Sequence, residues 1–329
     1  MTTTPPIAST VVLDESAADV ELAEPTPSGQ EPPARSQWQL FSRRFFRHRL
    51  AFASLVVLVV LYLIVSFPTL TAPFALNPKS LQLAAANKGP STLHWVGTDE
   101  LGRDQLTRII YASHVSMTIG LMVAIFSTVI GTLVGSIAGY FGKWIDQLLM
   151  RITDLFLVVP GIAVIAMGMQ GLSTRSFPLV GHVSTTTLII AIMSFLFWQT
   201  IARVVRGLFL SIKEKEYVEA AKASGASSWR IMFRHILPNI VGPIVVNATL
   251  VVAGAILLES ALSFLGFGVK PPAVSLGSML SQSESAVGSK TAYLIYFPGL
   301  MLLVIVLAVN FLGDGLRDAL DPQSQKQHG

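Results

Sequence analysis

Carboxylates placed where they could do chemistry are the first feature of this 329-residue chain. The string GTDELGRD, Gly97 to Asp104, holds Asp99, Glu100 and Asp104 close enough together to suggest a site for a hard divalent cation. The same string also reads as a helix start. Thr98 and Asp99 are helix-opening types, acids favour the first turn, and Arg103 and Arg108 are spaced to pair with them, so the structural reading is the stronger. Asp154 in RITDLFLVVPG and Glu259 in AILLESALSFLG lie in apolar runs. At a membrane helix centre each would cost about 2.5–3.5 kcal/mol on insertion scales, so neither is expected to face lipid. Asp154 is one turn from Arg151, which predicts a local ion pair or a bond to a neighbouring helix. Nucleotide and metal chemistry find no support. The nearest string to a phosphate-binding loop, IAGYFGKW, has Ile137 in place of the first glycine and Trp144 in place of the hydroxyl residue. There is no H-E-x-x-H, and six scattered histidines lack metal-ligand spacing; His48 and His235, among arginines, read as interfacial residues. Without cysteine, disulfides and thiolate metal sites are excluded.

A different kind of site is suggested by EYVEAAKASGASSWRIMFRHILPN, residues 216–239. Good helix formers run from Lys213 to Ser224, with Glu219, Ala220, Ala221 and Ala223 at the centre. Gly225 can end that helix in the left-handed conformation, and Ser227 or Ser228 can cap the next. In the next, Trp229, Met232, Phe233 and Ile236 fall at i, i+3, i+4 and i+7, an apolar stripe, until Pro238 enforces a stop or bend. Two short helices with an elbow at Gly225 are expected.

The surrounding elements are apolar. Charged residues make up 13% and hydrophobic residues 52%, where soluble domains carry roughly 25% charged. Six runs are long enough to cross a bilayer as helices, near 50–68, 115–139, 149–170, 187–208, 240–266 and 293–312. Barrel-type alternation is absent, so the fold class is all-α membrane protein. Gly120, Gly131, Gly135 and Gly139 recur along the second run, the last three spaced by four, which predicts close helix packing. Residues 1–37 carry Asp14, Glu15, Asp19, Glu21, Glu24 and Glu31 against Arg35 alone, a composition that predicts a disordered tail rather than a signal peptide.

Lysine and arginine set the orientation. With the N-terminus inside, inner segments and flanks hold 16 of these residues and outer segments 7, led by Arg43, Arg44, Arg47 and Arg49 before the first run. Both termini and the 216–239 segment are then cytoplasmic. The net charge of +4 gives no reason to expect nucleic acid.

The pattern Glu219-Ala220-Ala221, then Gly225, then Leu237-Pro238 resembles the EAA loop of ABC-importer permeases. Three further strings narrow the resemblance to the C-type subunit of the dipeptide/oligopeptide/nickel permeases: GTDELGRD, LSFLGFGVKPP (Leu262 to Pro272) and GDGLRDALDP (Gly313 to Pro322). It extends from about Trp38 to Pro322. The resemblance implies a type I ABC-importer permease fold with four segments: a cytoplasmic tail (1–37), a first span with its extracytoplasmic segment (38–114), a five-helix core (115–315) with coupling loop 213–238, and a cytoplasmic C-terminal tail (316–329). It implies that Glu219, Ala220, Ala221, Gly225, Trp229, Phe233, Leu237 and Pro238 contact an ATPase, and that Glu259 and Asn247 line the translocation path or a subunit interface. The implied partners are a B-type permease, two ATPase subunits or a paired ATPase, an extracytoplasmic substrate-binding protein and membrane lipid. ATP and magnesium belong to the ATPases, and this chain needs no cofactor of its own. Peptides are the favoured cargo; nickel chelates and haem, an ion-coupled transporter and a scaffold without a transport path are the alternatives.

The orientation has a direct test, because the chain has no cysteine of its own. Single cysteines at Asn87, Ser176 and Ser289 should react with an impermeant maleimide from outside the cell, and one at Lys222 only after permeabilisation. External labelling of Lys222 would reverse the topology.

Overall fold

The computed structural model describes residues 45–76, 83–172 and 184–320, all within the compact unit Phe41–Gly329. The expected tail 1–37 and residues 321–329 of the expected C-terminal tail lie outside the described residues.

Helix α1, Arg49–Ser66, is opened by His48, whose Nδ1 accepts the Ala51 amide at 3.1 Å. His48 thus caps this helix. Its helix buries only Ala51, Ser54 and Val65, leaving an apolar surface suited to lipid. Helix α2, Gln105–Phe141, starts ten residues before the expected run and crosses the boundary expected at 114/115. Its cap is Asp104, which accepts the Thr107 amide at 2.8 Å, not Thr98 or Asp99.

The expected third span, 149–170, is not one straight helix. Helices α3, Lys143–Val158, and α4, Gly161–Leu172, meet at a bend of 79°. The cause is Pro160, which lacks an amide proton and crowds the residue before it; Val159 is extended, with φ −74° and ψ 126°. Helix α5, Thr185–Ile212, is capped by Ser184 and leads into α6, Glu216–Ala223. Helix α7, Leu237–Phe264, is followed by the short α8, Leu276–Gln282, and by α9, Tyr293–Leu320, which contains the boundary expected at 315/316. Among the described residues five stretches are long and apolar enough to cross a membrane, six if the bent α3–α4 pair counts as one span.

Helices α2 and α5 pack most closely. A methyl group at Gly131 would lie 2.6 Å from Ile201 Cβ, one at Gly135 would collide with the Ala202 carbonyl, and one at Gly139 would lie 2.5 Å from Phe209 Cβ. Gly131, Gly135 and Gly139 therefore form a flat strip on which Ile201, Val205 and Phe209, also spaced by four, lie directly. Further along, Gly120 takes Ile256 of α7 in the same manner, and Gly315 of α9 takes Ala51 of α1.

Because the obstacle at Gly135 is backbone, it cannot step aside. Gly135→Ala should cost about 1–3 kcal/mol of packing and lower the melting temperature of the purified protein by several degrees. Gly207→Ala on α5, with nothing within 4 Å, should hold or raise it, since alanine is the better helix former. Equal melting of the two variants would remove the strip's special standing.

Candidate functional site

The 216–239 segment begins where α5 ends, with the Lys213 amide donating to Phe209 O at 2.9 Å. Helix α6 has Glu216 and Glu219 in its first turn and Lys222 in its last, each at the end its charge favours. Gly225 stops it at φ +78°, and the Ala226 amide returns to Ala221 O at 3.1 Å, closing a left-handed C-terminal turn. The chain restarts on Ser227, whose Oγ accepts the Arg230 amide at 3.4 Å.

From there the structure departs from two short helices. Ser228–Arg230 runs without a break through a π-helical turn, Ile231–Ile236, into α7. Pro238 neither stops nor sharply bends it. In the wider turn the Leu237 amide reaches back five residues to Met232 O, which makes room for a ring that would otherwise strike the preceding turn. Pro238 itself follows directly on that wider turn, which accommodates its ring and its missing donor. The second half of the loop is thus the rigid foot of a 37-residue helical stretch, Ser228–Phe264.

The apolar stripe divides into two faces. Met232 and Ile236 turn inward with Ile231 and Val218, all four buried, while Trp229 and Phe233 remain 55% and 40% exposed. These two rings stack at 5.5 Å and 10°. Beside them Glu219, Ala220 and Gly225 are exposed, Ala221 is half-buried against the core, Leu237 packs against the same core, and Pro238 is exposed. Val218 and Tyr217 were missed in the sequence. Val218 is the inward pin of α6, and the Tyr217 hydroxyl accepts from Asn239 Nδ2 at 3.4 Å, tying α6 to the foot of α7. A single valine in a charged octapeptide gives no periodicity by which to find it.

Glu259 lies on no surface of this chain. It is fully buried, accepting Ser116 Oγ of α2 at 2.9 Å and Ser263 Oγ at 2.6 Å. Ser263 also accepts the Val269 amide and the Ser275 hydroxyl, and Ser116 accepts the Leu276 amide, so one carboxyl group fastens the segment after α7 to α2. Within this chain Glu259 therefore serves as an internal tie. Asn247 is half-buried and donates to Pro243 O in its own helix at 2.8 Å.

Asp154 pairs with Arg203 of α5 at 2.5 Å, the neighbouring-helix alternative, rather than with Arg151. A second pair, Asp146 with Arg206, joins the same two helices and has no local signal in the sequence. In GTDELGRD, Asp99 binds Arg103 and Arg108, both at 2.7 Å, and Arg108 reaches Gln282 of α8 at 2.6 Å. Both carboxylate oxygens of Asp99 are therefore occupied by protein donors. Among the described residues no group of three or more His, Cys, Asp or Glu side chains is placed to hold a metal.

Residues 131–326 match the family described as the binding-protein-dependent transport system inner membrane component, and residues 36–90 match the N-terminal transmembrane domain of oligopeptide transport permease C. This chain belongs to that permease family. Among relatives, the permease is 38% identical over 290 residues to the oligopeptide transport system permease protein OppC of Mycobacterium tuberculosis, covering 88% of this chain and 96% of that one. It is 37% identical over 315 residues to the dipeptide transport system permease protein DppC of Alkalihalophilus pseudofirmus, covering 92% and 98%. Its fold matches a chain of the inward-facing MetNI methionine ABC transporter with a TM-score of 0.54 at 19% identity, over 66% of the permease and 97% of that chain. The permease thus belongs with the C-type dipeptide/oligopeptide permeases and has a type I importer fold.

The tie at Glu259 has a measurable consequence. Glu259→Leu would strand the hydroxyls of Ser116 and Ser263, and leaving buried polar groups unpaired costs about 1–3 kcal/mol each. The segment 265–292 should then become several-fold more sensitive to protease added from outside, whereas Glu259→Gln, which keeps an acceptor, should stay near the parent. Equal protection of Glu259→Leu and the parent would show that the tie is dispensable.

Proposed function

We propose that this permease is the membrane subunit of an ATP-driven peptide importer, and that residues 213–238 are its contact with the ATPase. The observation that carries the reading is the stacked, exposed pair Trp229 and Phe233 on a foot continuous with α7, beside the fixed elbow at Gly225. Two large rings left in water by a chain that buries Met232 and Ile236 alongside them are suited to a partner's groove. The names of the relatives, oligopeptide and dipeptide permeases, support peptide over nickel chelate or haem as cargo.

The geometry supports a route for the coupling. Both termini and the loop face the cytoplasm, in line with the 16-to-7 division of basic residues. A B-type permease completes the path, two ATPase subunits or a paired ATPase hold ATP and magnesium, and an extracytoplasmic substrate-binding protein delivers cargo. When the ATPases close, a force on Trp229 and Phe233 passes into α7 without an intervening hinge, while α6 carries it to α5 through the Lys222 Nζ bond to Lys213 O at 3.3 Å. Moving a pore from 1:99 to 99:1 takes about 5.5 kcal/mol of differential interaction, and by linkage the pore state biases the nucleotide sites in return. Ion coupling through Asp154 and Glu259 is disfavoured, since one is paired with Arg203 and the other is enclosed by serine hydroxyls.

Gly225 gives the test. Nothing in this chain lies within 4 Å of a Cβ added there, so within the permease its substitution acts through backbone conformation. Gly225→Val should leave membrane insertion intact but lower uptake at least tenfold in the reconstituted complex, with ATP hydrolysis no longer responding to loaded binding protein; Gly225→Asn, tolerated in the left-handed region, should retain most activity. Trp229→Ala with Phe233→Ala should weaken ATPase association to a similar degree, and Glu219→Ala should be milder. Transport at the parental rate by Gly225→Val would refute the elbow.

A further inference from the structure

The third span is broken within the membrane, and what the break lays bare is backbone. Helices α3 and α4 meet at 79° around Val159 and Pro160. Among the described residues no backbone hydrogen bond joins the two helices, and the first bond beyond the break is that of the Val164 amide to Pro160 O at 3.2 Å. The last carbonyls of a helix have no donor within it, and those of Val158 and Val159 receive none from any described loop amide or side chain. The described parts of the chain also leave this segment uncovered. Val158 is 84% exposed and Val159 41%, with Pro160 and Ile162 exposed beside them.

The depth of the break is read from α5. Ser184, the cap of α5, and Arg203 are about 28 Å apart at 1.5 Å per residue, close to the hydrocarbon thickness of about 30 Å. The half-exposed pair of Arg203 and Asp154 marks the inner edge of that layer, with Arg206 and Asp146 one turn further towards the cytoplasm. Gly161 lies against Leu196, whose Cδ1 would be 3.7 Å from a Cβ added there, and Phe156 just before the break packs on Phe195 and Trp198. Along the helix Leu196 is roughly 10 Å from Arg203 and about 18 Å from Ser184. The break therefore lies inside the apolar layer. Non-helical backbone is tolerated at that depth against protein or beside a water-filled cavity, never against lipid. Water has a route to it. Gln147, Arg151 and Asp154 are exposed on one face of α3 that continues into Val158, and a cavity of about 610 Å³ with these three polar residues and Arg206 in its wall lies at the cytoplasmic end.

We propose that the break at Val159 and Pro160 lines the translocation path, and that the carbonyl oxygens of Val158 and Val159 accept hydrogen bonds from the main-chain amides and terminal ammonium of peptide cargo. The proposal rests on the importer reading and its topology. Broken helices in transporters use bare carbonyls to hold what they carry. A carbonyl accepts from any N–H, so this pair reads the one feature that peptides of every sequence share. The test uses the complex in proteoliposomes with its second permease, ATPases and binding protein, all free of cysteine. Val158→Cys should react with a charged methanethiosulfonate, which attacks thiolates in water, at least tenfold faster than Val60→Cys on the apolar surface of α1, where Val60 is 47% exposed. Peptide in transit should slow that reaction severalfold. Pro160→Ala restores an amide that can donate to Phe156 O and lets α3 run on, so that following amides reach the two carbonyls. It should lower peptide uptake at least fivefold while loaded binding protein still stimulates ATP hydrolysis as in the parent. In a parent that transports, labelling of Val158→Cys no faster than of Val60→Cys would place the break against lipid or the second permease and overturn the path assignment. Fast labelling that peptide does not slow, or parental uptake by Pro160→Ala, would overturn the acceptor role. A parent complex that takes up no peptide would overturn the importer reading, and the peptide site with it.

Discussion

Direct backbone contact between α2 and α5 is the constraint on which the rest of this permease depends. In lipid, apolar side chains gain nothing by leaving solvent, so two helices hold together through close packing and internal polar bonds. Gly131, Gly135 and Gly139 supply a surface without side chains, and Ile201, Val205 and Phe209 fill it. That contact fixes the axis of α5, and with it the point at Ile212 where the chain turns into α6. The conformation at Gly225 and the direction of α7 then follow from a defined starting point.

Polar groups within the bundle perform joining tasks. Asp146 and Asp154 pair with Arg206 and Arg203 and clamp α3 to α5 on one side of the bend at Pro160. Asp99 with Arg103 and Arg108, and Glu259 with Ser116 and Ser263, fasten outer segments to α2. Each carboxylate has protein donors close by, as a low-dielectric surrounding requires. Breaking one partner of the buried ties at Asp99 and Glu259 would leave the other uncompensated, so these tolerate single substitutions less well than the half-exposed pair of Asp154 and Arg203 does.

The two ends of the molecule solve a related problem with similar means. At one end Trp229 and Phe233 stand on a helical foot whose inward neighbours, Ile231, Met232 and Ile236, are buried. At the other Leu93 and Trp95 stand on a loop whose inward neighbour, His94, is buried and bonded. In both, an exposed aromatic is mounted on anchored backbone, so little of its conformational freedom remains to be lost in a contact.

Much of this was legible in the order of residues. Apolar runs marked the spans, the glycine spacing marked the packed face of α2, and Gly225 followed by Ser227 marked the elbow, because these signals act through neighbours in sequence or through composition. Only the tertiary structure decided the rest. The π-helical turn that carries Ser228 through Pro238 into α7 depends on which carbonyl each amide finds, and Pro160, unlike Pro238, met no such accommodation and broke its span. The choice of Arg203 over Arg151 by Asp154, and the bond from Ser116 of α2 to Glu259, depend on residues 49 and 143 positions apart. Local pattern determines what a segment can become. Which of two available partners a buried charge takes is a property of the assembled helices, since their distance and the absence of water set the energy of each choice.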